Sequence, residues 1–542
     1  MSSDSEGTNN EGTNKAGANT QSSQGKRSRS RKRGRNKKKP AAIALPQLDR
    51  KVLRNRFAPI DPLDDEQINL IHEASMTLLE EQGIEVLGDM ALDVLRKAGA
   101  EISEDGIVRM DRNLVMQSIA TAPEEFTVTP RNPDNLLHVG GNVINFGMVS
   151  GPPNVHDCIN GRRMGNIADF ENLVRFGQFF NVITFFGNQA TAPTDLPVNT
   201  RHLDTLMASI TLSDKAFFST GIGAGRSLDA ANMCAIARGI SVDDLADSPM
   251  AMTNININSP RKLDDSMAYG AMQLATLGQP VSVTPFTLMG AMTPATLGGA
   301  LVQQNAEALL GVALLQLTRA GAPVLYGGFT SNVDMRSGAP AFGTPENSLA
   351  NLAGGQLARF YRLPHRTSAC NASNAVDAQA IYETQMALWG AVMGHGHLIY
   401  HTAGWLEGGL VASFEKVIVD CEMLQHMSQF LQPMKIDLDE IGLDAMKEVG
   451  PGGHFFGCDH TMARYKDAFY QPFLSDWQNH ESWTTAGAKD ATQRATEIWP
   501  TILEEFAPPP LDAAIKEELE AYVAKRKEAL GNEEPALEPE LR

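Results

Sequence analysis

Three stretches in the second half of the chain concentrate residue types able to hold a small organic cation. They are Tyr326-Gly327-Gly328-Phe329 followed by Asp334; HRTSACNASNAVDAQAIYE, with His365, Cys370, Asn371, Asn374, Asp377, Gln379 and Tyr382; and YHTAGWLEGG, with His401, Trp405 and Glu407. Two glycines beside an aromatic residue let the backbone approach a ligand closely, and the face of the ring attracts positive charge. Trp405 has room around it because Gly404, Gly408 and Gly409 flank it. With Phe286, Tyr326 and Phe329 it could form an aromatic cage, although each ring could equally pack under a loop. Glu407 could offset a ligand's charge. Asn371, Asn374 and Gln379 could donate hydrogen bonds to a carboxylate, a role that competes with ordinary turn chemistry. Asp377 reads first as the N-cap of the helix that follows it.

Such residues act together only if the fold gathers them. From about residue 141 the chain alternates short β-type runs with stretches of helical period. The runs are Val143 to Val149, Val182 to Gln189, Ala216 to Ile222, Met250 to Ile257, Val281 to Leu288, Val324 to Phe329, His365 to Asn371 and Leu398 to Ala403. Ser259-Pro260, Thr293-Pro294 and Thr344-Pro345 each place an N-cap hydroxyl before a proline at the first helical position, and Arg319-Ala320-Gly321 is a matching stop. Eight strand-helix units predict a closed (β/α)₈ TIM barrel of α/β class over residues 141–436, whose reacting groups belong at the C-terminal ends of the strands. The three stretches above lie at the sixth, seventh and eighth runs and continue past their ends. An N-terminal helical region with short extended pieces around Ile107 and Phe126 is expected over 59–140, with order beginning near Pro59 to Pro62, and a C-terminal helical segment packing on the barrel over 437–542. The last helix is expected from Asp512 to Leu530.

Other chemistries find little support. No nucleotide-binding glycine pattern opens a helix after a strand; Gly221-Ile222-Gly223-Ala224-Gly225 is the nearest approach. No nucleophile elbow, H-E-x-x-H or kinase-type loop is present. His454, Cys458 and His460, in GGHFFGCDHT, bring metal-binding atoms near one another, but three residues in a loop after the eighth strand leave the ligand set incomplete, and the expectation is no metal.

The net charge of -18 conceals an asymmetry. Residues 1–50 hold twelve Lys or Arg against four Asp or Glu, so they carry +8 and the remainder -26; ten of the bases lie between Lys26 and Lys39. The surrounding Ser, Asn, Gly and Gln predict a disordered basic tail over 1–58. An acidic body would repel a phosphate backbone, so no specific nucleic-acid partner is expected. Five scattered cysteines without a Cys-x-x-Cys pair suit a reducing, cytoplasmic setting, and no apolar run long enough to span a bilayer is found.

At YGGFTSNVDMRSGAPAFGTPE, DAQAIYE and HTAGWLEGGLVASFEK the chain resembles the trimethylamine methyltransferase (MttB) family, over about residues 60 to 530. The resemblance implies a (β/α)₈ barrel whose open end receives a separate corrinoid protein, the corrinoid being supplied by that partner rather than bound permanently. The family's trimethylamine enzymes carry pyrrolysine within the segment matching Ser368 to Asp377. This chain reads through it with Asn374-Ala375, which aligns it with the non-pyrrolysine members, among them glycine betaine demethylases. The implied reaction moves a methyl group from a small quaternary or tertiary amine to Co(I). Trp405 with Phe286, Tyr326 or Phe329 would then surround the ammonium, while His365, Asn371 or Asn374 anchors a far carboxylate. A homo-oligomer is expected, and a binding or sensing protein without turnover is the alternative on the same fold.

Overall fold

The structure, a computed structural model, describes residues 45–541; the basic block from Lys26 to Lys39 lies outside them. Eight strands close into a ring: β1 (Val143–Met148), β2 (Phe185–Phe186), β3 (Ala216–Ser219), β4 (Met252–Ile255), β5 (Val281–Val283), β6 (Val324–Gly327), β7 (His365–Ser368) and β8 (Leu398–Ala403). Each pairs in parallel with its sequence neighbours, and β8 pairs back onto β1. A helix follows every strand: α1 (Ile167–Phe179), α2 (Arg201–Leu212), α3 (Ala224–Arg238), α4 (Asp265–Thr276), α5 (Leu297–Thr318), α6 (Pro345–Phe360), α7 (Ala378–Met393) and α8 (Phe414–Phe430). This is the (β/α)₈ barrel that the alternating pattern predicted.

Strand alternation fills the interior. Phe185, Ala216, Phe218, Met252, Leu325, Leu398 and Tyr400 pack as one inner cluster, and Val128, Leu137 and Val139 join them from a hairpin of Phe126–Val128 and Leu137–Val139. Among the described residues the barrel is therefore solid toward the N-terminal ends of its strands.

Local chemistry sets the helix starts. Thr344 caps α6 through Asn347 N with Pro345 at the first position, and Asp377 caps α7 through Ala380 N. Two expected starts are corrected. After Ser259-Pro260 the residues Lys262–Leu263 pair with Ile84–Val86, so α4 waits for Asp264, which accepts from Met267 N. Thr293-Pro294 instead closes a turn in which Gly290 N donates to Thr293 O, and α5 waits for Thr296, which accepts from Gly299 N. Helix α3 has no side-chain cap. Its first N–H groups, at Ala224 and Gly225, donate to Leu537 O and Ala536 O of the chain's own C-terminal segment. The glycine-rich loop before α3 is thus occupied by protein.

Order begins earlier than Pro59. Leu53–Arg54 runs antiparallel to β1, pairing with Ile144 and Val143, and Asn55 Nδ2 donates to Val392 O. The extended pieces expected around Ile107 and Phe126 are the strands Ile107–Arg109 and Phe126–Val128, and the former joins Ile84–Val86, Glu101–Ile102 and Lys262–Leu263 in a four-stranded sheet. At the C-terminal side, Ala491–Glu505 packs on α8, where Trp499 Nε1 donates to Glu415 Oε1 (2.9 Å). Ala513–Leu530, capped by Asp512, docks on α3 through Tyr522 and Arg526, both bound to buried Asp229.

Two expected strands are each split in a way that matters for the site. Pro285 interrupts the fifth run and Gly328 the sixth. Phe286–Met289 and Phe329–Val333 then continue as a separate parallel pair, joined by Pro340–Ala341, above the barrel's C-terminal end. A second sheet, Trp405–Leu406 with Val411–Ser413, Asn154–Asp157 and Gly161–Met164, rises beside it.

Candidate active site

The two upper sheets meet through their aromatic residues. Phe286 and Phe329 stand in register on adjacent strands with ring centres 5.1 Å apart. Phe342 stacks on Phe329 (5.2 Å, 24°), and Trp405 meets both edge-on at 6.0 Å. His401, at the end of β8, lies 4.2 Å from Trp405 and 5.6 Å from Phe329. Of the sequence-predicted rings, Trp405, Phe329 and Phe286 are therefore brought together. They touch one another as one packed cluster.

Tyr326 is not among them. In register it aligns with Val283 on β5 and His365 on β7, and with them it faces the helix layer. Its hydroxyl donates to Asn305 Oδ1 of α5 (3.0 Å), and its ring neighbours are Tyr361 and His365. His365 follows it outward. Its Nδ1 meets Tyr326 O at 3.1 Å, its ring lies against Gly354 of α6, and burial pushes its pKa down to about 3. Period-two alternation explains both corrections: Leu325 and Arg366 take the inward positions, which turns Tyr326 and His365 out.

Asn371 is fully buried and holds Trp405. Its Nδ2 donates to Trp405 O (2.6 Å) and Thr384 Oγ1 (3.0 Å), while Trp405 Nε1 donates to Asn371 O (3.0 Å). Behind it, Lys416 Nζ donates to Thr384 Oγ1 (3.0 Å) and pairs with Asp420, whose other oxygen accepts from Gly404 N (2.8 Å). The tryptophan is thus fixed from the side chain and from the backbone before it. Asn374, by contrast, is exposed at the rim. Glu407 does not face the rings as a free charge: Arg162 Nε lies 3.0 and 3.1 Å from its carboxylate oxygens. Gln379 bonds Glu383 on the surface of α7 (2.9 Å).

Under the rings lies a residue that the sequence reading passed over. Arg366 is 3% exposed, and its guanidinium sits over the Tyr400 ring at 4.2 Å and the Phe329 ring at 5.5 Å. Nη1 donates to Ser368 Oγ (2.9 Å), Nε has no partner, and no carboxylate among the described residues pairs with it. Burial lowers its pKa to about 10, which leaves it charged at neutral pH. His401 is held well below the usual imidazole range, first by burial and then by Arg366, so it is neutral. Its Nδ1 lies 3.3 Å from Ser150 N and its Nε2 3.5 Å from Arg366 Nη2; both neighbours are donors, and a neutral imidazole accepts at only one of its nitrogens. A β-bulge between Ile399 and Ala403 and a φ of +60° at His401 turn this ring inward. The signal for Arg366 was present in the sequence, as a charge one position out of phase with His365 and Thr367 in a strand that the fold buries.

The remaining candidates do not compete. Burial raises the Cys370 thiol's pKa, which keeps it protonated. Cys458 Sγ donates to Thr461 and His460 Nε2 bonds Asp439 O. Among the described residues no cluster of His, Cys, Asp and Glu is arranged to hold a metal, and no helix is long and apolar enough to cross a membrane. A hollow of about 730 Å³ lined by Gln47, Phe146, Val182 and Tyr470 opens near the N-terminal ends of β1 and β2, away from the rings.

Residues 27–531 match the family model described as trimethylamine methyltransferase (MTTB). The chain is 36% identical over 472 residues to a glycine betaine methyltransferase of Desulfitobacterium hafniense (strain Y51), covering 87% of this chain and 98% of that protein. It is 29% identical to a trimethylamine methyltransferase MttB of Desulfitobacterium hafniense (strain DSM 10664 / DCB-2), over 86% and 94% of the two chains. It is 28% identical over 400 residues to a proline betaine:corrinoid methyltransferase of Eubacterium limosum, over 72% and 81%. With a match that spans the whole barrel and its C-terminal helices, this chain belongs to the trimethylamine methyltransferase family.

Proposed function

We propose that this protein removes one methyl group from a small quaternary amine such as glycine betaine and delivers it to the Co(I) corrinoid of a partner protein. The observation that carries the reading is the packed cluster of Trp405, Phe329, Phe342 and Phe286 beyond the C-terminal ends of the barrel strands, with Glu407 neutralised by Arg162 and His401 uncharged. Relatives named for glycine betaine and proline betaine support the substrate class, and the name of the latter supports the corrinoid.

The chemistry asks little of the protein's acids and bases. The methyl carbon is attacked by the nucleophilic cobalt, the carbon–nitrogen bond breaks, and its electron pair stays on nitrogen. A neutral tertiary amine leaves and cobalt passes formally from I to III. No proton moves, which agrees with a site whose histidine is neutral and whose thiol stays protonated. The protein's task is then to hold one methyl in line with the incoming cobalt and to exclude water. Aromatic faces attract a cation more mildly than a paired carboxylate, so they do not oppose the loss of its charge in the transition state. The trial is to mix the protein with reduced corrinoid and, separately, glycine betaine, carnitine, choline, proline betaine and trimethylamine, following cobalt methylation by absorbance. Methylation from at least one quaternary donor is expected; ligand binding with no methylation from any of them would instead favour a sensor.

A further inference from the structure

We propose that Arg366 and His401 form a carboxylate subsite beneath the aromatic surface, so that the substrate is a zwitterion bound with its carboxylate inward and its methylated nitrogen outward. The inference rests on the quaternary-amine reading above and specifies which amines qualify.

Three observations converge. The guanidinium is buried with no counter-charge among the described residues, and its Nε is unpartnered. A buried charge without a partner is costly, and the Tyr400 face and the Ser368 hydroxyl offset only part of that cost. Secondly, Arg366 Nη2 and His401 Nε2 face each other at 3.5 Å. Ser150 N and Arg366 Nη2 both donate toward a neutral imidazole that can accept at one nitrogen only; when Nδ1 takes the Ser150 bond, Nε2–H confronts the guanidinium, and an acceptor shared by the two resolves the conflict. Thirdly, the aromatic surface is already occupied by a cation: Arg366 lies over the Phe329 ring. A second bare cation brought to the same rings would be repelled by it. A cation that carries its own carboxylate would not, because the carboxylate inserts between the two positive charges. The same residue thus attracts betaines and rejects choline or trimethylammonium, which is how a specific site combines attraction with exclusion. The geometry also orients the reaction. With the carboxylate on the floor, the methylated nitrogen stands toward the C-terminal ends of the strands, where the corrinoid of this reading docks.

The test measures binding and turnover separately. Thermal shift of the wild-type protein with glycine betaine, choline or acetate requires no corrinoid. Stabilisation by glycine betaine but not by choline is expected, and equal stabilisation by both would overturn the subsite. Arg366→Met is then compared with wild type in cobalt methylation. The KM for glycine betaine should rise about 10- to 100-fold, as expected for losing a charged hydrogen-bonded pair, while choline, no longer repelled, gains turnover. A folded Arg366→Met protein with an unchanged betaine-to-choline ratio would sink the proposal. Should that variant fail to fold, Arg366→Lys, which keeps the charge and loses the fork, must still raise the KM for glycine betaine selectively. Wild-type protein that binds glycine betaine over choline yet methylates no corrinoid would uphold the subsite and remove the methyltransferase reading.

Discussion

Replacing Trp405 by Phe and by Leu separates the ring's attraction for a cation from everything else the residue does. Both substitutions delete the Nε1 hydrogen bond to Asn371 O (3.0 Å). Both should therefore destabilise the fold by a similar amount, about 1–3 kcal/mol for an orphaned buried acceptor. Phe keeps an aromatic face against His401, Phe329 and Phe342, which lie 4.2, 6.0 and 6.0 Å from the indole; Leu keeps only apolar bulk. One cation–ring contact contributes about 0.5–2 kcal/mol, more as it becomes desolvated. At 1.4 kcal/mol per decade, that corresponds to about 2- to 30-fold in the binding of a quaternary ammonium. The assay is cobalt methylation at subsaturating glycine betaine, with thermal unfolding run alongside. Trp405→Leu should fall about 10-fold below Trp405→Phe in kcat/KM while the two unfold at similar temperatures. If the two variants transfer methyl groups at rates within twofold of each other, the indole is not a cation-binding surface and the site has been misread.

Other consequences follow from the supports around the site. Lys416→Met leaves Asp420 buried without its partner and should cost about 3–5 kcal/mol in stability, whereas Lys416→Met with Asp420→Leu should recover much of it; unfolding midpoints compare the two. The buried imidazoles of His365 and His397, with pKa values pushed down to about 3 and about 4, make stability pH-dependent. Unfolded histidine takes up a proton near pH 6.5 while these two stay neutral. Their contribution is therefore intact above about pH 6.5 and is lost progressively as pH falls toward the folded values. Thermal midpoints measured from pH 7.5 to 4 should decline, and the decline should be shallower in His365→Gln. Asp229→Ala removes the acceptor shared by Tyr522 and Arg526 and should expose Ala513–Leu530 to limited proteolysis before the barrel is cut. Deleting residues 1–44 should leave cobalt methylation within twofold of the intact chain.

The barrel was legible because its strands are bounded by turn residues and separated by helices of ordinary period. The helix starts were less so, since Ser259-Pro260 and Thr293-Pro294 have the right local chemistry but spend it on a strand pair and a turn. Pro285 and Gly328 were visible as breaks, yet only the three-dimensional pairing of Phe286 with Phe329 shows that the chain continues upward past them. In the site, Trp405, Phe329 and Phe286 were recognisable as rings beside glycine or at strand ends. Tyr326 and His365 satisfied the same criterion and face the helices instead. Counting alternate positions from inward Leu325 turns Tyr326 outward; for His365 the pairing register is also needed, which sets Arg366 beside inward Leu398. Phe342 and His401 depend on tertiary contacts and a bulge, which no local pattern encodes. Asn371 was singled out as a ligand donor, and the structure uses its amide to hold Trp405.

The central claim is that a positively charged nitrogen loses one methyl group to cobalt without any proton being supplied. The direct measurement is a single-turnover reaction of the protein with excess reduced corrinoid, glycine betaine in one sample and dimethylglycine in another, recording methyl-cobalt by absorbance and the amine product by mass. The account predicts one methyl-cobalt per glycine betaine, dimethylglycine as the end product, and no transfer from added dimethylglycine. Dimethylglycine serving as well as glycine betaine, or no methyl-cobalt from any betaine, would contradict it.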